Sequence, residues 1–498
     1  MSDNESTYPD PDVSEHFPES DHWIWAGTHR PPVPKPMAEL MTRDRAPTSI
    51  DEPEHPAAAF TARRRALTQA SFPDRVLVIP TGGPTVRSND TDYRFRPGSD
   101  FFWLTACDDV DGVLVIHPTS HVSVATLYLE GRRDASTHQF YSDDRYGELW
   151  VGPRRGLAEA RHRWGIETAP LESLEKDLFA AGLDTVAVLR GFDGALDEMV
   201  PETDTDAALA AALAELRLTK DDYEIARLGE AVDLTILGFE DVVRALPTAV
   251  GKSERVVEGI FHLRARTGGN DVGYNTIAAA GAHATILHWM RNDGDIRPGE
   301  LLLLDAGVEG HDLYTADVTR TMPISGTFTT EQREIYEIVL AAADAGIAAV
   351  RPGAHFQDPH RAASAVLAQG LFDLGILKVG PDEAMRKELP LLYRYMPHGT
   401  SHMLGIDVHD CANARREMNK GGHLAAGYVL TVEPGLYFQP GDLSVPERYR
   451  GIGVRIEDDI LVTERGSRNL SAALPRGPDE IESWMRSLWA LPAPNLGL

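Results

Sequence analysis

The thirteen residues HGTSHMLGIDVHD, positions 398–410, contain three histidines and two aspartates, side chains that can bind metals or move protons. His398 and His402 are four residues apart, the spacing at which two histidines of one helix bind zinc in the H-E-x-x-H motif. The glutamate of that motif is absent, and Gly399 and Gly405 disfavour a regular helix. The stretch therefore argues against a helical zinc motif and leaves the task of each histidine open.

Four carboxylates interrupt apolar, strand-like stretches elsewhere in the chain. They are Asp305 in LLLLDAG, Asp317 in YTADVTRT, Glu433 in VLTVEPG and Glu457 in VRIEDD. A single buried carboxylate is usually a hydrogen-bonded core group or half of a salt bridge, because an unpaired buried charge is costly. Four of them together with a histidine cluster favour a metal site instead. Carboxylate-rich ligation with one imidazole suits a harder divalent ion such as Mn²⁺.

These carboxylates lie in a pattern of two helices followed by strands that occurs twice within residues 207–475. In the first copy, Thr219 and Asp222 resemble a capping box, and Pro247 is expected to end the helix. Strands are then expected in YNTIAAAG, ATILHWM, ELLLLDAGV and LYTADVTRTMPI. A helix after Thr329 opens the second copy, which closes with YVLTVEPGLYF and GIGVRIEDDILVT. The repetition predicts two similar halves whose strands face a shared cleft.

The chain before this pattern has a different organisation. Residues 51–206 alternate apolar runs such as RVLVIP with helix-like stretches, which predicts an α/β domain. That domain is poor in grouped titratable residues, so the chemistry is expected in the second domain, 207–475. Residues 1–50, acidic at first and then rich in proline, are predicted to be a disordered arm, and 476–498 a C-terminal tail.

Composition excludes several classes of partner. The 48 basic and 76 acidic side chains give a net charge of −28, which argues against nucleic acid and anionic membranes. No apolar run is long enough for a membrane span, and no secretory signal is recognised at the N-terminus. Cys107 and Cys411 are the only cysteines and form no C-x-x-C pair, so we expect a reducing, cytoplasmic location.

Five stretches occur in an order that resembles the signature blocks of aminopeptidase P: LLLLDAG, ADVTRTMPISGTFTTEQREIY, HGTSHMLGIDVHD, LTVEPGLY and GIGVRIEDDILVT. The resemblance covers residues 60–475, and YRFRPGSDFFWLTA is similar to the N-terminal block of the same family. That family shares the pita-bread fold with prolidases, creatinases and methionine aminopeptidases. The resemblance therefore implies an α/β N-terminal domain and an α+β pita-bread catalytic domain with two pseudo-symmetric halves.

The resemblance also implies a set of metal ligands, which are Asp305, Asp317, His402, Glu433 and Glu457. In the family these residues hold two divalent metal ions, usually manganese, with Asp317 and Glu457 bridging them. Bridging carboxylates can hold two ions ~3.5–4 Å apart, and the paired ions lower the pKa of a shared water. All five positions match in this chain, which argues against an inactivated relative.

Other residues are expected on the substrate side. Three histidines resemble those that orient the peptide and stabilise the tetrahedral intermediate in the family: His288, His398 and His409. Glu433 is expected also to carry a proton from the nucleophile to the leaving proline nitrogen. Arg455 lies two residues before Glu457, so both share one strand face, and it is expected to pair with a carboxylate or contact substrate. Tyr437 is expected either to hydrogen-bond near the metals or to fill the core.

Several neighbouring residues are expected to take no part in the chemistry. Three histidines outside the motifs are expected at the surface: His311, His360 and His423. Asp407 and Asp410 are expected to accept hydrogen bonds from local backbone donors, and Cys411 to be a spectator thiol. Trp150, in WVGPRRG, is kept as a candidate for a loop that reaches the active site.

The function implied is that of a manganese-dependent Xaa-Pro aminopeptidase, which removes the N-terminal residue from peptides whose second residue is proline. A prolidase that cleaves only Xaa-Pro dipeptides is the alternative within the enzymes. A non-catalytic binding protein on a pita-bread scaffold is the alternative outside them. Family members are commonly dimers or tetramers, so a homo-oligomer is expected.

Overall fold

The computed structural model describes residues 23–24, 33–89, 91–122 and 124–491. The chain divides into two compact units, Met1–Glu202 and Thr203–Leu498. Much of the expected N-terminal arm, including residues 1–22, lies outside the described residues. Within the described ranges, no helix is long and apolar enough to cross a membrane.

The first unit is organised around one mixed sheet. Its elements are β1 Trp23–Ile24, β2 Val33–Pro34, α1 Lys35–Thr42, α2 Ala58–Ser71, β3 Val76–Pro80, β4 Val86–Ser88, β5 Thr91–Asp92, α3 Ser99–Thr105, β6 Val113–Ile116, β7 Ala125–Leu129, α4 Gln139–Ser142, α5 Glu148–Val151, α6 Leu157–Trp164, β8 Glu167–Pro170, α7 Leu174–Ala181, β9 Val186–Val188 and α8 Gly194–Met199. The sheet has the order β8-β7-β6-β3-β9, with parallel pairs at its two edges. Strands β3 and β6 are buried along their whole length, as in a sheet covered on both faces.

The second unit contains the repeated pattern of helices and strands. Its elements are α9 Asp204–Leu218, α10 Asp222–Ala249, α11 Arg255–Gly268, β10 Asp271–Val272, β11 Ile277–Ala280, β12 Leu301–Ala306, β13 Val308–Glu309, β14 Val318–Pro323, α12 Thr330–Ala349, α13 Asp358–Asp373, α14 Pro381–Ala384, β15 Val429–Val432, β16 Gly435–Tyr437, β17 Gly453–Arg455, β18 Asp458–Thr463, β19 Gly466–Asn469 and α15 Pro478–Trp489. Helices α10 and α11 precede the antiparallel sheet β11-β12-β14, and α12 and α13 precede the antiparallel sheet β15-β18-β19. The two similar halves predicted from the sequence are therefore present.

The start of helix α10 differs from the prediction. Its N-cap is Asp221, whose carboxylate accepts the Glu224 backbone N–H, while the Glu224 carboxylate accepts the Asp221 backbone N–H. The predicted capping box of Thr219 and Asp222 is wrong, because Thr219 follows α9 with an extended backbone.

The end of helix α10 also differs, since Pro247 lies inside its last turn and the helix continues to Ala249. A proline cannot donate to the carbonyl four residues earlier, which here belongs to Val243. That carbonyl instead accepts a hydrogen bond from the indole N–H of Trp489 at 2.7 Å. Trp489 belongs to α15, so residues 476–498, expected as a tail, contain a helix that packs against α10.

The predicted strand ATILHWM is wrong. Gly281–Thr285 form a 3₁₀ helix, and the following residues form a loop that runs to Gly294. Side-chain donors of this segment bond to the buried carboxylate of Glu254. A buried carboxylate must be hydrogen-bonded, and here it draws donors from the segment that was expected to form a strand. The periodicity of the sequence gives no sign of such a distant acceptor.

Candidate active site

The four carboxylates singled out in the sequence line one cavity of about 480 Å³, together with His402. Asp305 lies near the end of β12, and Asp317 immediately precedes β14, the strand that pairs with β12. Glu433 follows β15, and Glu457 precedes β18, the strand that pairs with β15. Each half of the second unit thus contributes two carboxylates from paired strands.

Asp317, His402 and Glu457 place one potential ligand atom each within 4.8 Å of one another. His402 Nε2 is 3.2 Å from Asp317 Oδ2 and 3.8 Å from Glu433 Oε1. His402 Nδ1 is 3.1 Å from the carbonyl oxygen of Met403, so an N–H there leaves Nε2 directed at the carboxylates. Oxygen donors with one imidazole form a donor set that suits a hard divalent cation.

Close packing of negative groups gives these carboxyls unusual acidities. Burial raises the pKa of Glu457 well above its ordinary value, and the neighbouring Asp317 and Glu433 raise it further. Burial also raises the pKa of Glu433 to about 7, and it raises the pKa of Asp305 although Arg455 opposes that shift. The site therefore gains from any cation that lets all its carboxylates ionise.

His402 supplies part of that positive charge. Burial alone would lower its pKa, but the hydrogen bond and charge of Asp317, followed by the charge of Glu433, raise the pKa to about 9. An imidazolium and a metal ion compete for the same carboxylates, because metal binding requires a neutral imidazole.

Arg455 is a second cation in contact with the carboxylates. Its guanidinium forms an ion pair with Asp305 and donates to the Thr319 hydroxyl at 3.2 Å and the Tyr437 hydroxyl at 3.1 Å. Of the two alternatives for Tyr437, a hydrogen bond near the carboxylates is therefore the one observed. Arg455 is buried, so its charge acts on the carboxylates with little screening by water.

Two hydroxyl groups of the site were not predicted. The Tyr274 hydroxyl lies 2.6 Å from Asp305 Oδ1 and 2.5 Å from Asp317 Oδ1. The Thr319 hydroxyl donates to Glu457 Oε2 at 2.6 Å. Thr319 is two residues after Asp317, so the shared strand face was a usable signal. The sequence around Tyr274 contains no comparable signal.

The three histidines predicted on the substrate side all line the cavity: His288, His398 and His409. His398 Nε2 is 2.9 Å from the Tyr437 hydroxyl, and burial lowers the pKa of His398 to about 4. The ring of His409 meets that of His402 edge to face at 4.5 Å, and burial together with His402 lowers its pKa. His288 is exposed at the cavity edge.

Two predictions about neighbouring residues are wrong. His360, expected at the surface, is partly buried, and its Nδ1 lies 2.7 Å from the Thr400 hydroxyl. Asp410, expected to accept hydrogen bonds from local backbone donors, is instead buried and forms ion pairs with Arg217 and Lys220. Both errors arise because the partner is distant in sequence: Thr400 for His360 of α13, and Arg217 of α9 for Asp410.

Two further residues have local surroundings that bear on their predicted roles. Cys411 is buried, and burial beside the Asp410 carboxylate raises its pKa well above the ordinary range. A thiol with such a pKa is a poor nucleophile. Trp150 belongs to the first unit, where its half-exposed indole donates to the Tyr141 carbonyl at 2.8 Å. Its part in an active site stays a prediction.

Two family models match the chain. Residues 205–464 match metallopeptidase family M24, and residues 60–186 match the N-terminal domain of aminopeptidase P. Xaa-Pro aminopeptidase 1 of Streptomyces coelicolor is 53% identical over 462 residues, which is 92% of this chain and 93% of that protein.

Solved structures of Escherichia coli aminopeptidase P have the same fold. The form with the inhibitor Pro-Leu aligns with a TM-score of 0.78 and 32% identity, covering 88% of this chain and 100% of that one. A zinc-substituted form in complex with product aligns with a TM-score of 0.77 and 32% identity, covering 87% and 99%. The α/β N-terminal domain and pita-bread catalytic domain expected from the sequence are confirmed.

Proposed function

Since the chain belongs to metallopeptidase family M24 and is an Xaa-Pro aminopeptidase, we propose that two divalent metal ions, Mn²⁺ by preference, serve its hydrolysis of peptides with proline second. The observation that supports the metal site best is the convergence of ligand atoms from Asp317, His402 and Glu457 within 4.8 Å. Asp305 and Glu433 line the same cavity and complete the proposed ligand set.

The donor chemistry supports this proposal. The five residues offer carboxylate oxygens and one imidazole nitrogen, which suit Mn²⁺ better than ions that prefer thiolates. Burial and neighbouring carboxyls raise the pKa values of Glu433 and Glu457, and a bound cation would offset this cost of ionising them. When bound, paired divalent ions would polarise the scissile carbonyl and lower the pKa of a water.

The chain's own residues would handle protons and substrate. Glu433 lines the cavity with its Oε1 3.8 Å from His402 Nε2, and it would accept a proton from the attacking water and pass it to the leaving proline nitrogen. Three histidines would orient the peptide and stabilise the oxyanion: His288, His398 and His409. Burial keeps His398 and His409 uncharged near neutral pH, so they can bind a peptide without repelling its N-terminal amine.

Metal content and substrate length test these proposals together. Purified protein would be assayed for bound metals and for cleavage of a tripeptide Xaa-Pro-Yaa and the dipeptide Xaa-Pro, with and without added Mn²⁺. We expect tripeptide cleavage that requires about two metal ions per chain. Cleavage of the dipeptide alone would favour a prolidase. Protein that binds no metal and gains no activity with Mn²⁺ would favour a non-catalytic binding role.

We further propose a cytoplasmic location and a homo-oligomer, either a dimer or a tetramer. Cys107 and Cys411 are both buried free thiols, as suits a reducing compartment. Three consecutive apolar side chains in α5 are about half exposed, as at many subunit interfaces: Leu149, Trp150 and Val151. Light scattering that gave the 54.6 kDa mass of one chain would refute the oligomer.

A further inference from the structure

A fully buried carboxylate outside the catalytic group, Glu254, gathers donors from one loop of the second unit. It precedes helix α11, and its two oxygens accept four hydrogen bonds: Oε1 from Ala280 N at 2.7 Å and His283 Nδ1 at 2.9 Å, Oε2 from Trp289 Nε1 at 2.7 Å and Gly294 N at 2.8 Å. Four donors over fifteen residues of chain thus depend on one charge.

The loop is closed tightly around this carboxylate. The rings of His283 and Trp289 stack with centroids 3.8 Å apart and planes 21° apart. A Cβ on Gly294 would lie 2.3 Å from the His283 ring, so the loop needs glycine there. The Trp289 ring also packs against the apolar cluster that contains Leu303 of β12, the strand that carries Asp305.

The opposite side of the same loop forms part of the catalytic cavity. Leu287, His288 and Met290 line that cavity, while Trp289 between them points to Glu254. His288 is exposed and comes directly before Trp289. The position at which Glu254 holds the Trp289 indole therefore determines the position of the His288 imidazole.

We infer that Glu254 is a positioning residue that fixes the cavity wall bearing His288, an inference that rests on the substrate role proposed for His288. The full carboxylate is required, because all four of its hydrogen bonds are accepted. A glutamine side chain would turn an N–H₂ towards two of the four donors and lose those bonds. The local loop would then loosen, although the size of the side chain is unchanged.

A double-mutant cycle tests this inference. Glu254→Gln should lower kcat about tenfold with little change in KM in the otherwise unchanged protein, and less than about twofold in a His288→Ala background. Asp293→Asn is the matched control, because Asp293 pairs with Arg291 on the solvent side of the same loop. It should leave kcat unchanged. Metal content and unfolding midpoint are measured for every variant.

The outcomes separate the role of His288 from that of Glu254. An unchanged kcat in His288→Ala would overturn both the role proposed for His288 and the positioning role of Glu254. An equal loss on Glu254→Gln in both backgrounds, at equal metal content, would overturn the positioning role alone. If Glu254→Gln does not fold, Trp289→Phe keeps an aromatic ring at this position, although a smaller one, and removes the indole N–H that donates to Glu254. Its expected loss of about threefold should likewise vanish in the His288→Ala background, and an equal loss in both would overturn the inference.

Discussion

The second unit buries two groups of carboxylates under opposite electrostatic conditions. In the cavity proposed as the active site, burial and mutual repulsion raise the pKa of Glu433 to about 7 and that of Glu457 well above its ordinary value. In the loop that follows His402, burial would also raise the pKa of Asp410, but Arg217 and Lys220 lower it to about 2. Glu457 is buried as fully as Asp410, and what differs between the two places is the balance of charge.

This difference separates a structural ion cluster from a ligand site. The Asp410 carboxylate finds a guanidinium and an ammonium within the chain, and this pairing fastens the loop to α9. The cavity carboxylates instead face one another, with Arg455 and His402 as the cations in contact. Buried acids alone would not indicate a metal. An excess of buried negative charge does, because only an added cation lets every carboxylate ionise.

The largest expected effect comes from removing a charge from the cavity. Glu457→Gln keeps the size of the side chain and removes a proposed bridging ligand, so kcat should fall at least about a thousandfold, as loss of several kcal/mol of Lewis-acid stabilisation requires. Bound metal, measured by elemental analysis, should fall with it. Full metal content and near-normal turnover would show that Glu457 is not a ligand.

Removing a charge from the ion cluster of Asp410, Arg217 and Lys220 should lower stability instead of turnover. Asp410→Asn removes the buried carboxylate that pairs with both Lys220 and Arg217, although Arg217 keeps Asp407, and should lower the free energy of unfolding by about 3–5 kcal/mol, measured by denaturant titration. Asp407→Asn is the control, since Asp407 pairs with the same Arg217 at 3.0 Å but is more exposed. Its loss should stay below about 1 kcal/mol. Equal losses in Asp410→Asn and Asp407→Asn would show that the buried ion pairs of Asp410 contribute no more to stability than the more exposed pair of Asp407.

The two groups should also respond to pH with opposite sign. In protein stripped of metal, Glu433 binds a proton more tightly when folded, since its pKa rises from 4.5 to about 7. Stability should therefore fall by about 3 kcal/mol as pH rises through that window. The pKa of Asp410 is lowered from 3.8 to about 2, so its stabilising contribution is present above pH 3.8 and is lost as pH falls from there towards 2. Unfolding titrations of stripped wild-type and Glu433→Gln protein should differ in slope between pH 4.5 and 7, and parallel curves would refute the assignment.

The cavity carboxylates, which outnumber the cations in contact with them, were the part of the site that could be predicted from the sequence. Asp305 or Glu457 within an apolar strand is conspicuous, because strand periodicity assigns it to the interior where a charge is costly. The repeated helices and strands likewise predicted two halves. The partners of Asp410 could not be predicted, because Arg217 lies 193 residues away in sequence and only packing of α9 brings it near. The roles of Tyr274 and Glu254 were not predicted for the same reason, since their hydrogen-bond partners belong to other elements.

The smallest expected effect concerns a neutral group, the Thr319 hydroxyl, that supports a carboxylate of the cavity. The buried Thr319 hydroxyl donates to Glu457 and accepts from Arg455, so it holds a proposed ligand without changing the charge of the cavity. Thr319→Val should weaken Mn²⁺ binding, measured by calorimetry, about 10- to 100-fold, as loss of a ligand's supporting hydrogen bond does. Thr319→Ser keeps the hydroxyl and should bind Mn²⁺ nearly as the wild type does. Equal affinities in the valine and serine variants would mean that the excess charge alone determines metal binding.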